Sequence, residues 1–158
     1  MAQVKTNAMR ILDAKKVPYE MHTYDNKDGK IDGVSVAHKI GRDPKEVYKT
    51  LVAQGGSKNI YVFVIPVEEE LDLKKAAKVS CEKKVEMIPV KDIQKWTGYI
   101  RGGCSPIGMK KDYKTFIAEA LPQLDVIVVS AGKIGVQIVL KPEHLKEVTN
   151  AEFADLIK

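Results

Sequence analysis

A lysine set inside an apolar run, and a glycine-rich loop further along the chain, are the residues whose types and spacing point to chemistry. Val47-Tyr48-Lys49-Thr50-Leu51-Val52 reads as a β-strand in which Leu51 and Val52 predict burial, so the Lys49 ammonium must find a partner or a cavity. Tyr99-Ile100-Arg101-Gly102-Gly103-Cys104-Ser105-Pro106-Ile107-Gly108 begins as an aromatic-aliphatic strand signal. It continues as an ordered loop offering bare backbone N–H groups to something that accepts them. Together the two segments predict a pocket. Lys110-Lys111 follow the loop directly, where they could hold a backbone phosphate at the pocket rim while a terminal group enters it.

Other reactive residues give weaker signals. The three histidines, His22, His38 and His144, stand in no triad or metal-ligand spacing, and each reads as a surface or hydrogen-bonded side chain. Cys104 would need a nearby cation to become a nucleophile and reads as a small apolar loop residue; Cys81 and Trp96 read as core. Gly103 and Gly108 bracket four residues as in a P-loop, but Met109 stands where the lysine belongs, and Pro106 has no N–H to offer. Ser130-Ala131-Gly132-Lys133 reads as part of a hairpin turn that could also present Ser130 and backbone N–H groups to a ligand carbonyl.

The elements that must position these groups are strands and helices without a regular βαβ rhythm. Thr6 or Asn7 caps a first helix through Ala8, Ile11 and Leu12, stopped by Pro18, and Tyr19 to Tyr24 alternates as a strand. Asn26 to Gly33 is polar and glycine-containing, a mobile loop from which a lid could start, followed by a short helix from Ser35 to Ile40 closed by Gly41. Asp43-Pro44 with Glu46 marks a single turn. The Lys49 strand and Ile60 to Pro66 then flank Gly55-Gly56-Ser57-Lys58-Asn59 as a β-hairpin. Asp72 caps a helix, Val85 to Ile88 is a strand, and Pro89 opens a helix reaching Trp96 and ended by Thr97-Gly98. Thr115 to Ala118 fits strand or helix, Val126 to Val129 and Val136 to Leu140 are strands, and short helices start at Pro142 and at a cap on Asn150.

With 158 residues, 44% apolar and 30% charged, and with no linker or repeat, the expectation is one mixed α/β domain spanning residues 1–158. No stretch is long and apolar enough for a membrane span and no signal peptide is evident, so the chain is read as soluble and cytoplasmic. The two cysteines lack C-x-x-C spacing, and no metal or cofactor is expected. A net charge of +5, spread in doublets, leans modestly towards a polyanionic partner.

Several collinear segments resemble the YbaK family of Cys-tRNA(Pro) deacylases, relatives of the editing domain inserted in bacterial prolyl-tRNA synthetases. They are His22-Thr23-Tyr24, Val47 to Leu51, Leu71 to Lys75, Lys83 to Met87, Thr97-Gly98-Tyr99, the Gly102 to Gly108 loop with Lys110-Lys111, and Val129 to Lys133. The resemblance runs almost end to end. It implies a mainly antiparallel mixed sheet curved into a partial barrel with surrounding helices. It also implies a trans-editing enzyme that removes cysteine wrongly esterified to tRNA(Pro), a task that binding discrimination at the synthetase cannot complete. By the same resemblance, Lys49 is the central functional residue. Tyr24, Thr50 and Ser130 line the pocket, while Gly102, Gly103, Ser105, Pro106, Gly108 and Gly132 hold the substrate. Lys110 and Lys111 meet the tRNA backbone.

The family mechanism needs no protein nucleophile: the substrate thiol attacks its own ester carbonyl, releasing a thiolactone, with N–H donors and the lysine stabilising the oxyanion. The chain departs from the family pattern at Asp32, where an aromatic residue is usual, and at Gln137, where some members carry an aspartate. The implied partners are mischarged tRNA and, as a candidate, prolyl-tRNA synthetase. A deacylase for another small amino acid and a non-catalytic module binding tRNA or a synthetase are the alternatives, the latter with Lys49 as an edge-strand lysine reaching solvent.

Overall fold

The computed structural model describes residues 5–119 and 124–158. The elements run α1 (Asn7–Ala14), β1 (Glu20–Thr23), α2 (Gly33–Ile40), β2 (Tyr48–Gly55), β3 (Ile60–Pro66), α3 (Leu73–Ser80), β4 (Val85–Met87), α4 (Ile93–Thr97), β5 (Lys114–Ala118), β6 (Ile127–Lys133), β7 (Val136–Leu140), α5 (Pro142–Thr149) and β8 (Glu152–Ala154). No helix among the described residues is long and apolar enough to cross a membrane.

Helix limits follow from capping. The Thr6 hydroxyl accepts from the Met9 N–H, Asp32 from Ser35 and Asp72 from Lys74 and Lys75, each satisfying donors that a first turn leaves open. α2 ends on Gly41 at φ 71°, and α4 on Gly98 at φ 83°.

The strands form a three-stranded sheet, β1-β7-β6, and a five-stranded sheet, β4-β2-β3-β5-β8. They meet where Val47, just before β2, bridges Val128 of β6. Antiparallel pairs dominate, but β3, β5 and β8 run parallel to one another, so long crossovers carrying α3, α4 and α5 connect them. β3 lies inside its sheet and is buried almost throughout; Phe63 there stacks on Phe116 of β5 with ring centroids 5.6 Å apart. Beyond β8, the Asp72 N–H donates to the Leu156 carbonyl at 2.8 Å and Leu71 bridges Ile157, clasping the entry to α3.

Four expectations are corrected. Cys81 is exposed rather than core, because it occupies the left-handed C-cap of α3 at φ 59°. Asn150 opens no helix: it closes α5 at φ 54°, and β8 follows. Tyr99 and Ile100 form no strand. Residues 130–133 continue β6, with an irregular register between Ser130 and Lys133, and the turn falls after them. Residues 115–118 resolve as strand.

Candidate functional site

At the junction of the two sheets lies a small cleft of about 120 Å³, lined by Lys49 and Thr50 of β2, Ser130 of β6, Gln137 of β7, and Gly102 and Cys104 of the glycine loop. The Val47–Val128 bridge brings β2 beside β6. Strand pairing then sets Ser130 opposite Gln137 and Gln137 opposite His22, a polar row on one face of the smaller sheet. Ile31, Gly33 and Val36 close the remaining side.

Few of these polar groups are satisfied internally. The Thr50 hydroxyl is buried without a hydrogen-bond partner among the described residues, as is that of Tyr24. Gln137 is 5% exposed inside an otherwise apolar strand. Lys49 is half-buried and joins no ion pair among the described residues. Ser130 is held in place because its Oγ accepts the Gly132 N–H at 3.2 Å. A cavity whose walls carry unanswered polar groups is suited to a polar ligand that answers them.

The glycine loop is divided between the cleft and a structural role. Gly102 takes φ 85°, a conformation glycine adopts without penalty, and its N–H and that of Cys104 meet no acceptor among the described residues. Gly103 is buried with its N–H on the Ile100 carbonyl at 3.0 Å, and a Cβ there would lie 3.0 Å from the Ile134 nitrogen. Ser105 is fully buried and its Oγ accepts from the Ile107 N–H. Tyr99 ties the loop down, its hydroxyl donating to the Ile107 carbonyl at 2.7 Å. Gly132 and Gly108 both lie against that tyrosine, so a Cβ on either would approach its ring or hydroxyl.

Pro106, Gly108 and Lys111 line a separate, wider groove of about 1120 Å³, together with Lys15, Lys114 and Lys146. Lys110 is exposed and lines neither cavity. Tyr24 is absent from the cleft lining; its ring carries the Lys39 ammonium 5.7 Å from the centroid.

Burial pushes the Cys104 thiol up to about 11, so it stays protonated at neutral pH and is a poor nucleophile. His38 is exposed, and the Nε2 of His22 is buried without a hydrogen-bond partner among the described residues, with Glu20 Oε2 3.9 Å away. Among the described residues, no group of three His, Cys, Asp or Glu side chains is placed to hold a metal. The contributions of Ile31, Gly33, Val36 and Val67 to the cleft carry no local sequence signal. Gln137 does carry one, as a polar residue in an apolar run.

Comparison with known proteins follows the same lines. The model of the aminoacyl-tRNA editing domain matches residues 32–148. EbsC of Enterococcus faecalis, named as a proposed Cys-tRNA(Pro)/Cys-tRNA(Cys) deacylase, is 49% identical over 154 residues, covering 98% of this chain and 94% of that one. Among solved structures, a candidate trans-editing enzyme for prolyl-tRNA synthetase superposes with a TM-score of 0.83 at 20% identity, over 99% of both chains. A hypothetical protein designated APE2540 gives 0.85 at 19% identity, over 94% of this chain and 97% of the other; both share the fold. The family match takes in β2, the glycine loop, β6 and β7, the elements that build the cleft, and with the extent of identity to EbsC it establishes that this chain belongs to the aminoacyl-tRNA editing domain family.

Proposed function

We propose that this chain is a trans-editing aminoacyl-tRNA deacylase that clears cysteine from mischarged tRNA(Pro). The observation that carries the reading is the cleft itself: a space of about 120 Å³ is lined by Lys49, by Thr50, whose buried hydroxyl has no partner among the described residues, and by Gly102 and Cys104, whose N–H groups meet no acceptor among them. That is well below the roughly 300–1,000 Å³ of sites for drug-sized ligands, so it suits an aminoacyl tip and leaves the nucleotide outside.

No triad faces the cleft among the described residues and the Cys104 thiol is held neutral, so the bond-breaking power is assigned to the substrate. Its cysteine sulfur attacks the ester carbonyl, forming the C–S bond of a four-membered thiolactone. The C–O bond to the ribose breaks, and the thiol proton passes to the ribose hydroxyl. Lys49 and the loop N–H groups stabilise the oxyanion, and confinement in a near-attack pose removes much of the orientational entropy. Tyr24, Gly103, Ser105, Gly108 and Gly132 support this arrangement from outside the lining. Pro106 and Lys111 place the wider groove beside the loop, where Lys15, Lys114 and Lys146 supply further cations for tRNA phosphates, joined by Lys110 at the exposed rim. Prolyl-tRNA synthetase is the proposed source of the substrate.

The test is a panel of tRNA(Pro) charged with cysteine, serine, alanine or proline. Cysteine should be released fastest and appear as thiolactone or free amino acid, with serine far slower because its hydroxyl is a poorer nucleophile. Equal loss of serine and cysteine would point to attack by water. Fastest loss of alanine would assign a different small-amino-acid substrate, and no loss from any charged tRNA would leave a binding module.

A further inference from the structure

Lys39, on the last turn of α2, sends its ammonium away from the helix into the loop that precedes it. Nζ lies 2.7 Å from the Asp25 carbonyl, 3.0 Å from the Lys30 carbonyl and 2.8 Å from Asp28 Oδ1, so each of its three N–H donors has an oxygen. The side chain is only 21% exposed. Otherwise the loop bonds only to itself: Lys27 and Lys30 donate to the Asp25 and Asp28 carboxylates, and Gly29 to the Asn26 carbonyl. Among the described residues, every hydrogen bond joining residues 25–31 to the rest of the fold comes from Lys39.

The inner edge of this loop is a wall of the cleft. Ile31 lines it, and its Cδ1 would lie 2.7 Å from a Cβ built on Gly102, so loop and floor meet without room for one methyl group. Gly33 fits as closely on the other side, where a Cβ would come within 2.2 Å of Val67 Cγ1. The wall therefore stands on a loop with no strand ladder behind it, hydrogen-bonded to the rest of the fold among the described residues by a single cation outside the cleft lining.

We infer that Lys39 is a positioning residue that sets the size limit of the aminoacyl cleft, by holding Ile31 against Gly102 so that bulky amino acids are refused. The inference rests on the editing reading for the identity of the ligand, and on the loop geometry alone for the latch. It assigns specificity to a residue that never touches substrate.

The experiment compares wild type with Lys39→Met, Lys39→Arg and Ile31→Ala, using stable 3′-aminoacylamino-adenosine analogues that carry cysteine or leucine. Lys39→Met should narrow the preference for cysteine over leucine at least tenfold, mostly by admitting leucine. Lys39→Arg should restore part of it. Ile31→Ala should reproduce the change, and adding Lys39→Met to it should contribute little more. The wild-type ratio retained in folded Lys39→Met would overturn the inference. Should wild type bind neither analogue, the editing reading fails separately, and amide exchange decides the latch. Lys39→Met must then speed exchange at Lys27, Gly29 and Lys30 at least tenfold while β2 and β3 keep their protection; unchanged loop protection overturns it.

Discussion

Replacing Lys49 by alanine separates its proposed chemical role from its structural one, because Lys49 lines the cleft yet joins no ion pair among the described residues. With no buried partner left uncompensated, the cost to folding is confined to the packing of its methylene stem, about 1 kcal/mol or less. At this chain length that corresponds to a fall in Tm of roughly 2–4 °C. The kinetic cost is much larger. A unit charge about 4 Å from a developing oxyanion is worth about 4 kcal/mol at the effective dielectric of a site near the surface. Loss of one oxyanion donor typically slows turnover about 10²–10³-fold. Single-turnover release of cysteine from Cys-tRNA(Pro) should therefore slow by about 100- to 1,000-fold in Lys49→Ala, while the melting temperature stays within a few degrees of wild type. The salt dependence separates this from tRNA binding. A lysine lost from the oxyanion leaves the slope of log K against log salt unchanged, whereas one lost from a phosphate lowers it by about one. Turnover within threefold of wild type, or a loss that appears only as weaker and less salt-sensitive binding, would refute the assignment.

Three further outcomes follow from the geometry. Cys104, its thiol raised to about 11 by burial, should resist iodoacetamide at pH 8, where about a thousandth is thiolate, and react faster only as the pH climbs towards 11; exposed Cys81 should be labelled first, as peptide mass spectrometry can read. Gly132→Ala forces a side chain onto φ 99° with its Cβ 2.7 Å from the Tyr99 ring, and should cost about 1–2 kcal/mol in denaturant unfolding and reduce deacylation by displacing the loop that Tyr99 holds. Phe63→Ala removes a fully buried ring from its stack on Phe116 and should lower stability by about 3–5 kcal/mol, measured by chemical denaturation.

Local signals carried much of the fold. Thr6, Asp43 and Asp72 cap where their side chains predict, Gly41 and Gly98 end helices, and the glycine-containing turn after β2 makes the hairpin. Three of the failures share a cause, in that one residue type serves two backbone roles. Asn150 suits a helix start by its side chain and a helix end by tolerating positive φ, and here it does the second. Gly132 marks an irregularity inside β6 rather than a turn, and Cys81 is exposed because of where it caps. Of the candidate cleft, Lys49 and the glycine loop were legible. The seam between the sheets was not, because the Val47–Val128 bridge joins distant apolar residues with no local mark, and Ile31 in a polar loop carries no sign that it lines a cleft.

The clasp between residues 71–72 and 156–157 has a consequence for how the protein is made. On the ribosome, β1, β7 and β6 can be complete once Leu140 has emerged, with every strand that contributes to the cleft already translated. The outer strand beside β5 and the fully buried Leu156 arrive later, so the nascent larger sheet spends that interval with an open parallel edge. Slow decoding of the stretch from α5 to Leu156 would prolong it, exposing newly made chains to chaperone capture before any of them can act on RNA.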